Sequence, residues 1–219
     1  MESAIQKISL WALPVLAAII LHEIAHGWVA NRLGDSTAAR AGRLTLNPLP
    51  HIDPFGTILL PILLILSHAP FLFGWAKPVP VNFGGLRRPK RDMVLVALAG
   101  PLTNIILAIL SATLFRLLMG LRLPADGAST AVTIAILTPL ALMAQNSVVV
   151  NVVIGVFNLM PILPLDGGRV LTGLLPIRQA IAFARLERYG MLIVLALLYT
   201  KALDRVLGPV VGAFLHVLL

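Results

Sequence analysis

The fold class predicted for this chain is an all-α polytopic integral membrane protein, and three observations predict it. Of its 219 residues, 58% are hydrophobic and only 12% are charged, whereas a soluble domain carries about 25% charged residues. The mean hydropathy is +0.95. Long apolar segments recur at 8–32, 57–73, 92–119, 131–160, about 180–200 and 205–219, giving about five to six transmembrane helices. Crossing the hydrocarbon core takes about 20 residues, which 8–32, 92–119 and 131–160 satisfy outright. No polar stretch is long enough for a second domain, so 1–219 reads as one membrane-embedded unit.

The first segment, from Ile8, holds no charge until His22-Glu23-Ile24-Ala25-His26. It is short enough for a signal peptide, but a helical pattern with His-Glu follows it where a small-residue cleavage site would stand, so it is expected to be retained. The segment 57–73 contains two prolines and a histidine and lies between Asn47-Pro-Leu-Pro50 and Gly74-Trp-Ala-Lys-Pro-Val-Pro80. Proline interrupts regular hydrogen bonding, so this piece is either a kinked span or a re-entrant hairpin. Charge separates the two. With re-entry, Arg32, Arg40, Arg43, Lys77, Arg87, Arg88, Lys90, Arg91, Arg169, Arg178, Arg185 and Arg188 share one face. Lys7, Arg116, Arg122, Lys201 and Arg205 lie opposite, a division of 12 to 5 among the 17 basic residues. A spanning segment gives only 10 to 7 of the same residues, a weaker positive-inside asymmetry. The net charge of +8 is therefore read as lipid-headgroup contact and orientation, with no nucleic-acid partner. Tyr189–Tyr199 must extend back through Ile181–Leu186 to span, and the last segment carries Pro209 and His216.

The chemistry begins at His22 and His26. Four residues apart on a helix, they share one face and can offer two imidazoles to one cation, with Glu23 beside them as general base toward a metal-activated water. Such polar groups inside an apolar run are costly unless something binds them. A catalytic zinc site generally takes three protein ligands, and the chain has no cysteine. Asp166, in Pro161-Ile-Leu-Pro-Leu-Asp166-Gly-Gly168 after the 131–160 helix, is the leading third candidate, since a carboxylate in apolar surroundings needs a partner. His22 lies roughly 21 Å into its helix at 1.5 Å per residue, near the end that Asp166 can reach if 57–73 turns back. His51 and Asp53 form the rival ligand pair, but Pro50-His-Ile-Asp-Pro54 reads better as an ordered turn in which Asp53 bonds its own backbone.

These motifs together resemble the site-2 protease family of intramembrane zinc metallopeptidases. The matching residues are His22-Glu23-x-x-His26-Gly27, Ala99-Gly100-Pro101-x-x-Asn104, and Asn151 through Phe157-Asn158-x-x-Pro161-x-x-Pro164-x-Asp166-Gly-Gly-Arg169. The resemblance implies His22, His26 and Asp166 as ligands of one zinc ion per chain and Glu23 as general base. It implies Asn158 as a catalytic residue that stabilises an oxyanion or holds the substrate backbone. It also implies a membrane-re-entrant β-like loop in the region of about 44–90, to which residues 74–84 would belong. The expected reaction is hydrolysis of peptide bonds within or near the transmembrane segments of other proteins, in a plasma or inner membrane. The departure from larger members is the lack of a PDZ or CBS regulatory domain in this stretch.

Other residues have plainer readings. Asn104 is assigned to helix packing through Ala99-Gly100. Asn146, Asn151 and Gln145 are expected to line a water path, and Trp11, Trp28 and Trp75 to anchor or pack at the interface. His68 and His216 are read as interfacial or packed, and Arg87–Arg91 as a face anchor. The rival function is a metal transporter using the same three ligands. It leaves Glu23 without a role and calls for paired binding segments in two halves, which the chain lacks.

Overall fold

The computed structural model describes residues 4–69, 73–121 and 133–219, and every regular element among them is helical. Arg122, residues 70–72 of the segment 57–73 and the first two residues of 131–160 lie outside the described residues. Among the described residues, three stretches are long and apolar enough to cross a membrane: Ser9–Arg32 within α1 (Ala4–Arg32), α4 (Pro89–Gly120), and Thr133–Asn158. The last begins as a π-helical turn at Thr133–Leu137 and continues as α5 (Thr138–Asn158). α4 is the central helix, packing on α1, on α5 and on the short α6 (Asp166–Leu174).

The sequence explains how these helices fit. Ala108 and Ala112 of α4, both fully buried, lie against Val148, Val152 and Val156 of α5. Small side chains let two backbones approach where lipid supplies no hydrophobic drive toward association. Pro14 lacks the N–H that would bond the carbonyl of Leu10, four residues earlier in α1. Asn146 Nδ2 of α5 donates to that carbonyl at 3.2 Å, so the polar group freed by proline is satisfied by a neighbouring helix. α1 ends at Arg32, and Gly34 just beyond it, with a φ of +116°, suits glycine past a helix C-terminus; the short α2 (Thr37–Arg40) follows.

The segment 57–73 does not run away from its origin. Pro54–Leu59 and α3 (Leu60–Leu66) lead outward, and the chain comes back beside them. Trp75 N donates to Gly56 O at 3.1 Å, Thr57 Oγ1 donates to Trp75 O at 2.8 Å, and Trp75 lies directly on Gly56. The 13 apolar residues of Pro54–Leu66 also fall short of the ~20 a span needs. No residue of the outgoing arm except Gly56 is buried.

Residues 74–82 follow as extended chain without a strand ladder, and Phe83–Gly85 is a 3-10 turn. The β-like element is thus a single extended segment among the described residues. It is tied to side chains and loops instead. Lys77 N donates to His51 O, Arg43 donates to Lys77 O at 2.7 Å, and Asn82 N donates to Asp35 Oδ2 at 2.7 Å. Prolines at 78 and 80 explain this, since two consecutive same-side positions lack the N–H a ladder would use.

The region 180–200 is divided into α7 (Ile177–Ala184) and α8 (Glu187–Tyr199), and the C-terminal helix α9 spans Ala202–Leu218. The continuous helix expected through Ile181–Leu186 is broken at Arg185–Leu186. α8 begins where Glu187 accepts from Arg169 at 3.1 Å, and Gly190 lies against the Leu163 carbonyl so closely that a Cβ would come within 1.8 Å of it.

Asp35 fastens the end of α1 to the extended segment. Its carboxylate accepts from Thr37 N, Thr37 Oγ1 and Asn82 N. Burial acts to raise its pKa, but these hydrogen bonds outweigh it and hold the group below its usual range. A carboxyl depressed in the folded state contributes stability above the unfolded pKa of about 4 and loses it as pH falls through the folded value. Replacing Asp35 with Asn is expected to lower the thermal midpoint by several degrees at pH 7. The difference should shrink as the pH is taken from about 5 toward 2. A gap that is constant across that range would separate Asp35 from the latch.

Candidate metal centre

His22 and His26 come from the same face of α1, and Asp166 from the first residue of α6. The prolines after Asn158 end α5, and the loop 159–165 folds back tightly. Cβ atoms on Gly167 and Gly168 would fall 2.2 Å from Leu159 O and 2.5 Å from Leu163 N. Only hydrogen fits at these two positions, and the compact turn delivers Asp166 to α1.

His22 Nε2 lies 3.1 Å and His26 Nε2 lies 3.3 Å from Asp166 Oδ2, and the two nitrogens are 3.0 Å apart. These are the only three metal-ligating side chains gathered in one group among the described residues. His51 and Asp53 do not join them. His51 Nε2 donates to Thr45 O, and Asp53 Oδ1 accepts from Phe55 N and Gly56 N, the turn expected from the sequence.

The imidazole protons can be placed from their partners. His26 Nδ1 is 2.7 Å from the Val96 carbonyl and His22 Nδ1 is 2.6 Å from Asn104 Oδ1. Both partners only accept, so both Nδ1 atoms carry hydrogen, and in the neutral ring each Nε2 presents a lone pair. Two lone pairs and a carboxylate oxygen then face one point. Asp166 Oδ2 is buried and receives no hydrogen bond. Three acceptors at 3.0–3.3 Å repel one another unless protons or a cation sit between them. Two imidazoles and a carboxylate are a donor set zinc accepts, with ligand bonds of about 2.0–2.2 Å. The residues fit the ion.

α4 supplies the supporting face at successive turns. Val96, Gly100 and Asn104 are spaced four apart and meet the two histidines in order. Gly100 lies under both rings: a Cβ there would be 2.4 Å from His26 Nε2 and 2.6 Å from His22 Nε2. The sequence assigns Gly100 and Asn104 to helix packing; in the structure both also bear on the imidazoles. Their four-residue spacing inside an apolar helix was the available signal.

Glu23 is half-buried beside His22, and Val79 N donates to its Oε2 at 2.7 Å. Gly27 makes this possible, because a Cβ there would come within 2.8 Å of the Val79 side chain. Oε1 has no protein hydrogen bond among the described residues. Neither Val79 nor Arg43, which holds the preceding carbonyls, was singled out from the sequence, since backbone tethering leaves no compositional trace. Asn158 sits in the last turn of α5, half-buried, with one Nδ2 hydrogen on Ile154 O at 3.0 Å. Asn146 and Asn151 do not line an open path: the first bonds α1, and the second is buried and bonded to Asn104 at 2.8 Å. Polar side chains between apolar helices pair with each other when they can. His68 and His216 are exposed, and Arg32 covers Trp28 at 4.9 Å.

Comparison with known proteins decides the family. The model for peptidase family M50 matches residues 118–200. YwhC of Bacillus subtilis, a proposed zinc metalloprotease, is 37% identical over 201 residues, which is 91% of this chain and 84% of YwhC. The chain belongs to peptidase family M50. That is the site-2 protease family, and the chain is a membrane zinc metalloprotease. Rip2 of Mycolicibacterium smegmatis, also a proposed zinc metalloprotease, is 32% identical over 87% of this chain and 66% of its own length. Rip3 of Mycobacterium tuberculosis, likewise, is 29% identical over 85% of the chain and 37% of its own length. No solved structure matches.

Gly100→Ala tests the packed centre. The variant is expected to bind zinc at least about tenfold more weakly, the scale of loss when a group orienting a ligand is disturbed. Chelator competition on the purified protein measures it, and wild-type affinity would contradict the observed contact.

Proposed function

We propose that this protease cleaves peptide bonds within or near transmembrane segments of other membrane proteins, the step that regulated intramembrane proteolysis requires. One observation carries the reading: buried His22 and His26 gathered with a partly buried Asp166, with Glu23 adjoining them, on an apolar helix able to cross a membrane. A soluble protein gains nothing by placing such a centre among lipid-facing helices, and the cost is substantial. A multi-pass position in the plasma or inner membrane accords with it.

Bound zinc would supply a Lewis acid and bring the pKa of its water to about 7. His22, His26 and Asp166 would hold the ion, one per chain. Glu23 would take the proton of the attacking water through Oε1 while Val79 N–H keeps Oε2 fixed, and it would then return that proton to the departing amine nitrogen. Asn158 has a second Nδ2 hydrogen beyond the one spent on Ile154 O. That hydrogen is suited to the carbonyl oxygen as charge develops there, or to the substrate backbone. A helical substrate shields its peptide bonds with its own hydrogen bonds in lipid, so the substrate segment must unwind before Glu23 can act. Membrane lipids and a transmembrane-segment protein are the expected partners.

Glu23→Gln is expected to keep zinc while lowering cleavage of a reporter transmembrane segment by several orders of magnitude in a reconstituted assay. Wild-type cleavage by that variant would remove the general base from the mechanism. Chelation should abolish wild-type cleavage, and zinc should restore it.

The region of about 44–90 is read as entering and leaving the membrane on one face, supported by the return of Trp75 to Gly56. Because the chain has no cysteine, single cysteines report topology cleanly. Arg40→Cys and Arg87→Cys should react with an impermeant maleimide from the same side, and Lys201→Cys from the other. Labelling of positions 40 and 87 from opposite sides would make 57–73 a span.

A further inference from the structure

Asn151 lies on α5 seven residues before Asn158, fully buried, and among the described residues it is hydrogen-bonded to none of His22, His26, Asp166 and Glu23. We infer that Asn151 is a positioning residue for the metal centre, acting on His22 through Asn104; this rests on the zinc reading above.

Two backbone carbonyls, which can only accept, fix the orientation of both amides. Asn151 Nδ2 donates to Ser147 O at 2.9 Å, with Ser147 Oγ also at 3.2 Å. That fixes the Asn151 amide with Oδ1 turned toward α4. Asn104 Nδ2 donates to this Oδ1 at 2.8 Å and to Ala18 O of α1 at 3.2 Å. Both Asn104 amide hydrogens are thereby consumed, and its Oδ1 is left facing His22 Nδ1 at 2.6 Å. An oxygen at that place accepts only from a protonated Nδ1, so His22 is held in the tautomer whose Nε2 lone pair points to Asp166. Asn104 and Asn151 are 0% and 1% exposed, so no solvent competes for any of these groups.

Asn151 supplies the one contact that both consumes the second Asn104 hydrogen and fixes the direction of the amide from α5. Without it a buried N–H loses its acceptor and bears the full desolvation penalty of an unpaired donor. Rotation of Asn104 then becomes the way to relieve that cost, at the expense of His22. The same helix that ends in the Asp166 loop thus also orients the first imidazole. A metal-binding geometry drawn from α1 and α6 depends in this way on how α5 is seated between them.

The test is a double-mutant cycle on zinc affinity in the intact protein, read by chelator competition and by the visible spectrum of the cobalt-substituted form. Asn151→Leu, close in volume, is expected to weaken zinc about tenfold and to alter the cobalt spectrum, the usual scale for an outer-sphere partner. Asn104→Ala should do at least as much, and the double variant no more than Asn104→Ala alone, because both act through one contact. Asn151→Asp, neutral when buried, presents a carbonyl oxygen to Asn104 and an O–H to Ser147 O. It should restore near wild-type affinity and spectrum even if Asn151→Leu folds poorly. Additive losses in the cycle, an unchanged spectrum in Asn151→Leu, or no recovery in Asn151→Asp would each overturn the assignment. Failure of the wild-type chain to bind zinc stoichiometrically would instead overturn the metal reading beneath it.

Discussion

Three acceptors aimed at a single point inside an apolar protein constitute the constraint that the rest of this structure serves. His22, His26 and Asp166 would repel one another in a bare fold, and lipid gives them no water to face. The arrangement persists because neighbouring elements leave them no alternative. Val96 O and Asn104 Oδ1 hold the two Nδ1 protons, and Gly100 admits both rings. The glycines after Asp166 compress its turn against the preceding loop. A divalent cation held by His22, His26 and Asp166 would convert the mutual repulsion into shared attraction, so the energy that the fold invests in confinement would be returned as affinity.

The carboxylate beside this cluster is secured by a different means. Glu23 is held by a backbone N–H of an extended segment, and that segment is held by a buried arginine, by a loop carbonyl and by Asp35. Alternate prolines deny it a strand partner on one edge, so side chains take over the work of a sheet. The outcome is a tethered strip of main chain lying along α1 at Gly27, and the Glu23 carboxylate takes its position from that strip.

Helix packing in the membrane core follows two rules that meet at Asn104. Small residues allow α4 and α5 to approach closely, and the buried or partly buried Asn104, Ser111 and Asn146 each bond a partner on another helix. Asn146 satisfies the carbonyl exposed by Pro14, and Asn151 satisfies Asn104. Polar side chains that a linear reading assigns to a water path are in fact spent on such pairings, because in a closely packed, water-poor interface a partner nearby is worth more than a distant solvent molecule.

Membrane class, the three long helices and the residues gathered at His22, His26 and Asp166 were all legible in the amino-acid order. Hydropathy reports burial in lipid directly, and a four-residue interval between histidines places them on one face whatever surrounds the helix. The turn at Asp53 was equally local, since an aspartate before proline bonds its own backbone. What required the folded chain was everything carried by main-chain atoms or by distant pairs. These include the grip of Val79 on Glu23, the break before Glu187 where Gly190 meets Leu163, and the amide chain from Ser147 to His22. A carbonyl or N–H has no letter in the sequence, and Asn151 and Asn104 stand 47 positions apart. Residue types therefore determined which metal chemistry this protein could perform, while tertiary packing decided which proton each ring keeps and where each lone pair points.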